Sequence, residues 1–143
     1  MTVMIPQSHL DLLLEPINCV LTTLMPDGQP QMSIVWTDYD GQYVLINTTL
    51  ERQKAKNMAA KPRVNVLIID PMNGSRYLEV RGEVSQITQE GAIAQSEKQT
   101  KAYFTEARKR IYGDFYPEAQ QEEETEVMVK ISPKKVNTDA IFS

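Results

Sequence analysis

The chain has 143 residues, of which 41% are hydrophobic, and a formal net charge of −4. This length and apolar content predict a single domain, residues 1–143, that builds one core without disulfides or metal ions. The acidic balance argues against a nucleic-acid-binding protein, because sequence-independent affinity for a polyanion comes mainly from Lys and Arg. With one cysteine, Cys19, and no segment approaching the roughly 20 apolar residues that cross a bilayer, we expect a cytoplasmic protein without membrane partners.

A short helix is predicted ahead of the first strands. Ser8 and Asp11 have the spacing of a capping box, and Pro16 ends the helix. Residues 19–25 are apolar and Thr-rich, whereas residues 31–37 alternate between apolar and polar side chains. An Asp-Gly pair separates the two segments, so the pattern predicts a β-hairpin.

The strands are then expected to continue on both sides of one inserted helix. A second Asp-Gly turn precedes a strand at residues 43–48, which should extend the same meander. Residues 48–61 have a helical composition, and Pro62 prevents the helix from continuing. Residues 63–69 and 77–87 predict two further strands, the second with alternating apolar and polar faces.

The last third of the chain predicts helices followed by strand. Residues 89–112 contain no proline and favour one or two helices, and residues 120–126 form an acidic surface loop. Residues 126–131 alternate again, and residues 136–142 suit a last edge strand. The fold class is therefore mainly β with helices (α+β), a six-stranded antiparallel sheet closed or partly closed into a barrel.

The sequence contains little acid–base or nucleophilic machinery. His9 is the only histidine, and a lone histidine in an N-terminal helix is more often a surface residue than a base. Because the lone histidine is interpreted as a surface residue and the chain has one cysteine, neither a Ser-His-Asp triad nor an ordinary zinc site is expected, and no phosphate-binding glycine motif is present. No metal site or catalytic residue is assigned, and a cofactor is expected to carry any reaction.

A dense run of cations follows the third predicted strand. Arg52 and Lys54 lie where Asn47 and Thr48 end a strand and a helix begins, and a helix N-terminus favours a phosphate. The alternative is a solvated helix face. Thr48 and Glu51 also fit a capping box, which would start the helix early and separate the two cations; they converge only if the helix starts nearer Arg52.

The ordered motifs resemble a known family. The run PDGQPQMSIVWTDYDGQYVLINTTLERQKAKNMAAKPRVNVLIID, followed by YLEVRGEV, is similar to the pyridoxamine 5'-phosphate oxidase-like FMN-binding split β-barrels. Within them it most resembles the branch described as deazaflavin (coenzyme F-420)-dependent. The resemblance covers roughly residues 8–87. It implies a homodimer with FMN, or the deazaflavin, at the subunit interface.

The resemblance also implies a set of cofactor contacts. Arg52 and Lys54 would bind the phosphate with help from Asn47 and Thr48, and the strand that includes Tyr77 and Arg81 of the partner subunit would complete the pocket. Trp36 suits the barrel core, although an aromatic there could also wall a flat ring. The residues implied to border the ring and the ribityl chain are Met32, Ser33, Ile34, Val35 and Trp36.

Departures from the family pattern narrow the expected function. The second strand carries no charge and the tail has neither Trp nor Arg, which argues against a true pyridoxamine-phosphate oxidase. Glu126 stands where the deazaflavin branch often has an arginine. The leading hypothesis is an oxidoreductase that passes a hydride to or from a small organic substrate; the alternative is a non-catalytic flavin or tetrapyrrole (heme) carrier.

Overall fold

The computed structural model describes residues 2–103 and 124–139. After a 3-10 turn at Gln7–His9 come three helices, α1 (Asp11–Leu14), α2 (Gln53–Ala60) and α3 (Ala92–Tyr103). The strands are β1 (Cys19–Leu24), β2 (Pro30–Val35), β3 (Thr37–Tyr39), β4 (Val44–Thr49), β5 (Arg63–Ile69), β6 (Tyr77–Thr88) and β7 (Glu126–Thr138).

The strands form one antiparallel sheet in the order β2-β1-β5-β6-β7-β4-β3. The first and last strands of this order, β2 and β3, are consecutive in the chain and separated by Trp36 alone. The sheet must therefore curl until its two ends meet at that residue. This confirms the antiparallel split barrel of an α+β fold.

Three details of the predicted sheet are wrong. The sheet has seven strands in the described residues, not six, because the segment 31–37 divides at Trp36 and its two parts pair with different neighbours. β4 does not extend the first hairpin; it pairs with β3 and β7 on the far side of the sheet. β7 runs unbroken through residues 126–138 where two strands were expected, and residues 140–142 lie outside the described part.

The core fills the inner face of the sheet. On β6, Leu78 and Val80 are fully buried, and Gly82 continues that face. A Cβ at Gly82 would lie 2.6 Å from Ile131 Cγ2 and 2.7 Å from the Ser132 carbonyl oxygen, so close packing of β7 requires glycine there. Leu12 and Leu13 of α1 join the same core cluster.

Both predicted capping boxes are wrong. α1 begins at Asp11 without a side-chain cap, and the Ser8 hydroxyl bonds His9 Nδ1 at 2.8 Å instead. α2 begins at Gln53 with Arg52 as its N-cap residue, while the Glu51 carboxylate accepts a hydrogen bond from the Thr125 amide. The late helix start, under which the two cations converge, is the arrangement observed. Only α3 of the predicted helical region 89–112 falls within the described residues.

His9 is not a surface residue. Its side chain is buried, and Nε2 lies 2.9 Å from Asp139 Oδ1, which also accepts a hydrogen bond from the Tyr77 amide at 3.0 Å. The pair ties the N-terminal segment to the end of β7. In residues 2–103 and 124–139, no helix has the length and apolarity to span a membrane, and no cluster of side chains could hold a metal ion.

Candidate functional site

A cleft of about 270 Å³ opens where the ends of several elements meet. The last residues of β2 and β4 form two walls, and the start of α2 and the inward side of α3 form two more. The first residue of β7 completes it. The lining residues are Ile34, Val35, Trp36, Asn47, Thr48, Thr49, Arg52, Lys54, Ser96, Gln99 and Glu126.

Two cations stand at the N-terminus of α2. Arg52 has extended backbone geometry as the N-cap residue, and Lys54 lies in the first turn. Lys54 is half-buried, and burial together with the charge of Arg52 lowers the pKa of its ammonium group. It forms no hydrogen bond or ion pair with any other described residue. A desolvated cation beside a second cation is the electrostatic setting that an anion stabilises.

Five buried polar atoms in the cleft have no hydrogen-bond partner within residues 2–103 and 124–139. An unpaired buried donor or acceptor costs about 1–3 kcal/mol, so such atoms are rare in folded proteins and require an explanation. Every one of them belongs to a residue that lines this cleft. The atoms are Asn47 Oδ1, Thr48 Oγ1, Thr49 Oγ1, Gln99 Nε2 and Glu126 Oε2.

Trp36, which lines the cleft, is held by an aromatic neighbour. The rings of Trp36 and Tyr103 stack with their centroids 4.7 Å apart and an interplanar angle of 20°. The Tyr103 hydroxyl donates to the Ile17 carbonyl at 2.7 Å and accepts from the Thr37 amide at 3.3 Å. Burial is the main cause that raises the pKa of Tyr103 to about 12. Trp36 is thus a half-buried wall of the cleft rather than a member of the buried core.

The cleft contains most of the residues expected to bind a cofactor. Four of the expected residues do not line the cleft of their own chain. Met32 and Tyr77 line a second groove, of about 460 Å³, on the outer face of the sheet. Arg81 is exposed and pairs with Glu79 at 3.2 Å, and Ser33 lies in β2 opposite Leu21, lining neither cavity.

Sequence reasoning missed four lining residues, Thr49, Ser96, Gln99 and Glu126. Ser96 and Gln99 are buried polar residues three positions apart on α3, a spacing that places them on one helix face. Glu126, expected in an acidic surface loop, instead pairs with Thr49 across β4 and β7.

The Glu126 carboxyl group is electrostatically unusual. Burial raises its pKa above the ordinary value of 4.5, against the opposing hydrogen bonds of Ser96 and Asn47. The charges of Glu97 and Glu124 raise it further. The cleft thus holds two cations and one carboxyl group that resists ionisation.

The family model of pyridoxamine 5'-phosphate oxidase matches residues 5–139. The chain belongs to the pyridoxamine 5'-phosphate oxidase family. No curated protein matches it. Among solved structures, an F420 reductase is 31% identical with a TM-score of 0.77, the match covering 93% of this chain and 98% of that one.

More distant proteins of the same fold differ in what they do. A conserved hypothetical protein from Mycobacterium tuberculosis is 23% identical, with a TM-score of 0.67 and coverage of 96% of this chain and 85% of that chain. HutZ, the heme storage protein from Vibrio cholerae, is 15% identical, with a TM-score of 0.62 and coverage of 90% and 89%. At such identities the likeness establishes the split-barrel fold of the pyridoxamine 5'-phosphate oxidase family and nothing finer.

Proposed function

We propose that this protein is an oxidoreductase that binds FMN or the deazaflavin coenzyme F-420 in the cleft and passes a hydride to or from a small organic substrate. The observation that carries the proposal is the set of five unpaired buried polar atoms beside two cations in one cleft. An empty structural module would have no reason to keep them. A ligand with a phosphate and several polar groups supplies the missing partners.

The phosphate fits the start of α2. Arg52 and Lys54 supply charge, and the amides of Gln53 and Lys54, which precede the first backbone hydrogen bond of the helix at Ala55, supply hydrogen-bond donors. The unpaired hydroxyls of Thr48 and Thr49 supply two further donors. Because Lys54 has no described anionic partner, a phosphate would restore the charge balance that burial disturbs.

The remaining lining suits a flat ring and its polyhydroxyl chain. Ile34, Val35 and Trp36 offer an apolar wall, and Asn47 and Gln99 offer an unpaired acceptor and an unpaired donor. When bound, the flavin or deazaflavin ring supplies the hydride chemistry. The protein binds the cofactor, orients it and excludes water from one side. The 31% identity to an F420 reductase supports the deazaflavin form.

A second copy of the chain is the proposed partner. On the outer face of the sheet Met32 is 71% exposed, and Ile69 and Tyr77 line the same groove. Met72, in the loop between β5 and β6, is 91% exposed. Such an apolar surface is typical of an interface. A homodimer would cover it and bring Tyr77 and Arg81 to the partner's cleft. Light scattering at micromolar concentration is expected to give twice the chain mass, and a monomer mass would contradict this arrangement.

The heme-carrier alternative has weaker support in this chain. Histidine is the usual protein ligand of storage and transport hemes, and the only histidine, His9, is buried and bonded to Asp139 away from the cleft. The fold shared with HutZ is the observation that keeps the alternative in view.

The direct test is mass spectrometry of small molecules released from protein purified from its native host, followed by titration with FMN, coenzyme F-420 and heme. We expect either FMN or coenzyme F-420 to be released. The protein should bind that cofactor with a dissociation constant near or below about 1 μM, which corresponds to a binding free energy of roughly −8 kcal/mol. Failure of FMN and F-420 alike to bind would end the proposal. Binding without turnover of any reducible substrate would favour a carrier.

A further inference from the structure

Among residues 2–103 and 124–139, Glu126 is the one acidic side chain that lines the cleft, and the cofactor proposal does not use it. Its Oε2 is fully buried and has no hydrogen-bond partner in the described residues. In the sheet it lies opposite Thr49, whose hydroxyl is also buried and unpaired. Thr49 ends β4, and the proposed phosphate site begins three residues later at Arg52, whose amide donates to the Thr49 carbonyl at 3.1 Å.

The surroundings of Glu126 disfavour its ionised form. Burial removes the water that would solvate a carboxylate, and the hydroxyl of Ser96 and the amide of Asn47 offset this only in part. The charges of Glu97 on α3 and of Glu124, two residues before Glu126, also act against ionisation. Arg52 and Lys54 line the same cleft and are the groups assigned to the ligand's phosphate. Glu51, just before α2, accepts a hydrogen bond from the amide of Thr125, the residue before Glu126.

An anion that enters the cleft changes this balance further. A phosphate bound by Arg52 and Lys54 brings negative charge into the cleft that Glu126 also lines, and a negative charge disfavours the carboxylate form of a neighbouring carboxyl group. Ligand binding and protonation of Glu126 must then favour each other, since linkage is reciprocal. A protonated carboxyl group has a hydrogen to donate, whereas a carboxylate has none.

We propose that Glu126 is a specificity-determining residue of the cleft, which takes up a proton from solvent when a phosphate-bearing ligand binds and donates it in a hydrogen bond to a ligand oxygen. A ligand is rejected if it presents to Glu126 only a hydrogen-bond donor, or a further negative charge, and no hydrogen-bond acceptor. The inference rests on the proposed function, because it requires that a flavin phosphate or an equivalent anion occupies the cleft.

The test is the pH dependence of FMN and F-420 binding to the dimeric or monomeric protein as purified, read by cofactor fluorescence. A glutamine at this position mimics the neutral acid and does not titrate, so Glu126→Gln is the informative variant. Glu126→Asp keeps a titratable group. Glu90→Gln is the matched control, because it removes the same charge from an exposed turn before α3. Thermal unfolding of each variant checks that it is folded.

In the wild type we expect the dissociation constant to rise with pH, by up to about tenfold per unit above the pKa of the free site. The affinity of Glu126→Gln should change less with pH through the same range, and Glu90→Gln should follow the wild type. Calorimetry in buffers of different ionisation enthalpy should record less proton uptake in Glu126→Gln than in the wild type. The second ionisation of the phosphate, near about 6, affects all variants alike and cancels in the difference.

Two outcomes would overturn the inference. Parallel pH profiles and equal proton uptake for wild type and Glu126→Gln would mean that the carboxyl group does not take part, while the cofactor proposal would stand. Absence of FMN and F-420 binding at every pH would remove the proposed function and this inference with it. Retention of the wild-type pH dependence in Glu126→Asp, lost in Glu126→Gln, would support it most directly.

Discussion

Two polar clusters of the molecule differ in how their polar groups are paired. Around α1, Arg76 binds Asp11 through both guanidinium nitrogens at 2.6 and 3.1 Å, reaches Asp70 at 3.0 Å and donates to the Ser8 carbonyl at 2.7 Å. In the cleft, five buried polar atoms have no described partner. The first cluster, which we call the α1 clamp (Ser8, Asp11, Asp70, Arg76), satisfies its own charges and serves the fold.

The difference shows how a site can be recognised without a ligand. Folding rewards paired polar groups and penalises unpaired buried ones, so an accumulation of unpaired atoms at one place indicates selection for something other than stability. The α1 clamp should therefore matter for unfolding and little for binding. The cleft should behave in the reverse way.

The largest expected effect is on binding at the cations of the cleft. Arg52→Ala and Lys54→Ala should each weaken FMN binding by roughly ten- to hundredfold, because a charge-assisted hydrogen bond to phosphate contributes about 1.5–3 kcal/mol. Thermal stability should change little. Flavin fluorescence titration measures the affinity, and riboflavin, which lacks the phosphate, should bind weakly and be insensitive to both changes.

The control for that prediction is Lys56→Ala, since Lys56 is exposed one turn along the same helix. Its variant should bind FMN like the wild type. Equal affinity in all three variants would mean that the cationic run is only a solvated helix face.

Replacing two equally buried threonines, Thr49 and Thr37, with valine should have smaller effects, of opposite sign, on the free energy of unfolding. Thr49→Val removes a buried hydroxyl that has no described partner and should raise the free energy of unfolding by about 1 kcal/mol while weakening cofactor binding several-fold. Thr37→Val removes an equally buried hydroxyl that bonds Cys19 Sγ at 3.1 Å, and should lower stability. Urea unfolding measures both; destabilisation by Thr49→Val would show that its hydroxyl is satisfied in solution.

The smallest effect is the acid sensitivity of the α1 clamp. The hydrogen bond from Arg76 holds the pKa of Asp11 below its ordinary value of 3.8, and the Met72 amide and Arg76 do the same for Asp70. Carboxyl groups with lowered pKa values contribute stability above the unfolded-state value, and that contribution is lost as pH falls through the folded-state values. Below about pH 4 the melting temperature should therefore fall, and less steeply in Arg76→Met.

Arg81→Met is the companion variant, because Arg81 forms one exposed pair with Glu79 and should show no measurable stability contribution. Arg76→Met should lower the melting temperature at neutral pH and leave FMN affinity unchanged. Loss of FMN affinity in Arg76→Met would contradict the separation of the two clusters.

Much of the fold could be predicted because its signals are local. β5 occupies the predicted residues 63–69, between a proline and a turn-rich loop, and the Asp-Gly turns lie where their sequence required. The start of α2 could not be decided in this way. The Glu51 carboxylate is used by the Thr125 amide, a partner 74 positions away, and is therefore not available to cap the helix.

The residues of the cleft were also harder to predict where they come from distant parts of the sequence. Asn47, Thr48, Arg52 and Lys54 were expected together because they are adjacent in sequence and match the family pattern. Gln99 and Glu126 come from elements that only the tertiary fold brings to the same place. Neither has a local pattern that distinguishes it from a surface residue, since a polar side chain on a helix or at a strand start is usually solvated.

Trp36 alone links β2 to β3 and also lines the cleft, so the closure of the barrel and the shape of the cleft depend on each other. β2 pairs only with β1, and β3 only with β4, in the described sheet, so the distance between the two ends of the sheet is set by one residue that also walls the cleft. A ligand that packs against Trp36 would restrain the two ends of the sheet relative to each other. The backbone amides of β2 and β3 would then lose mobility together when the ligand binds.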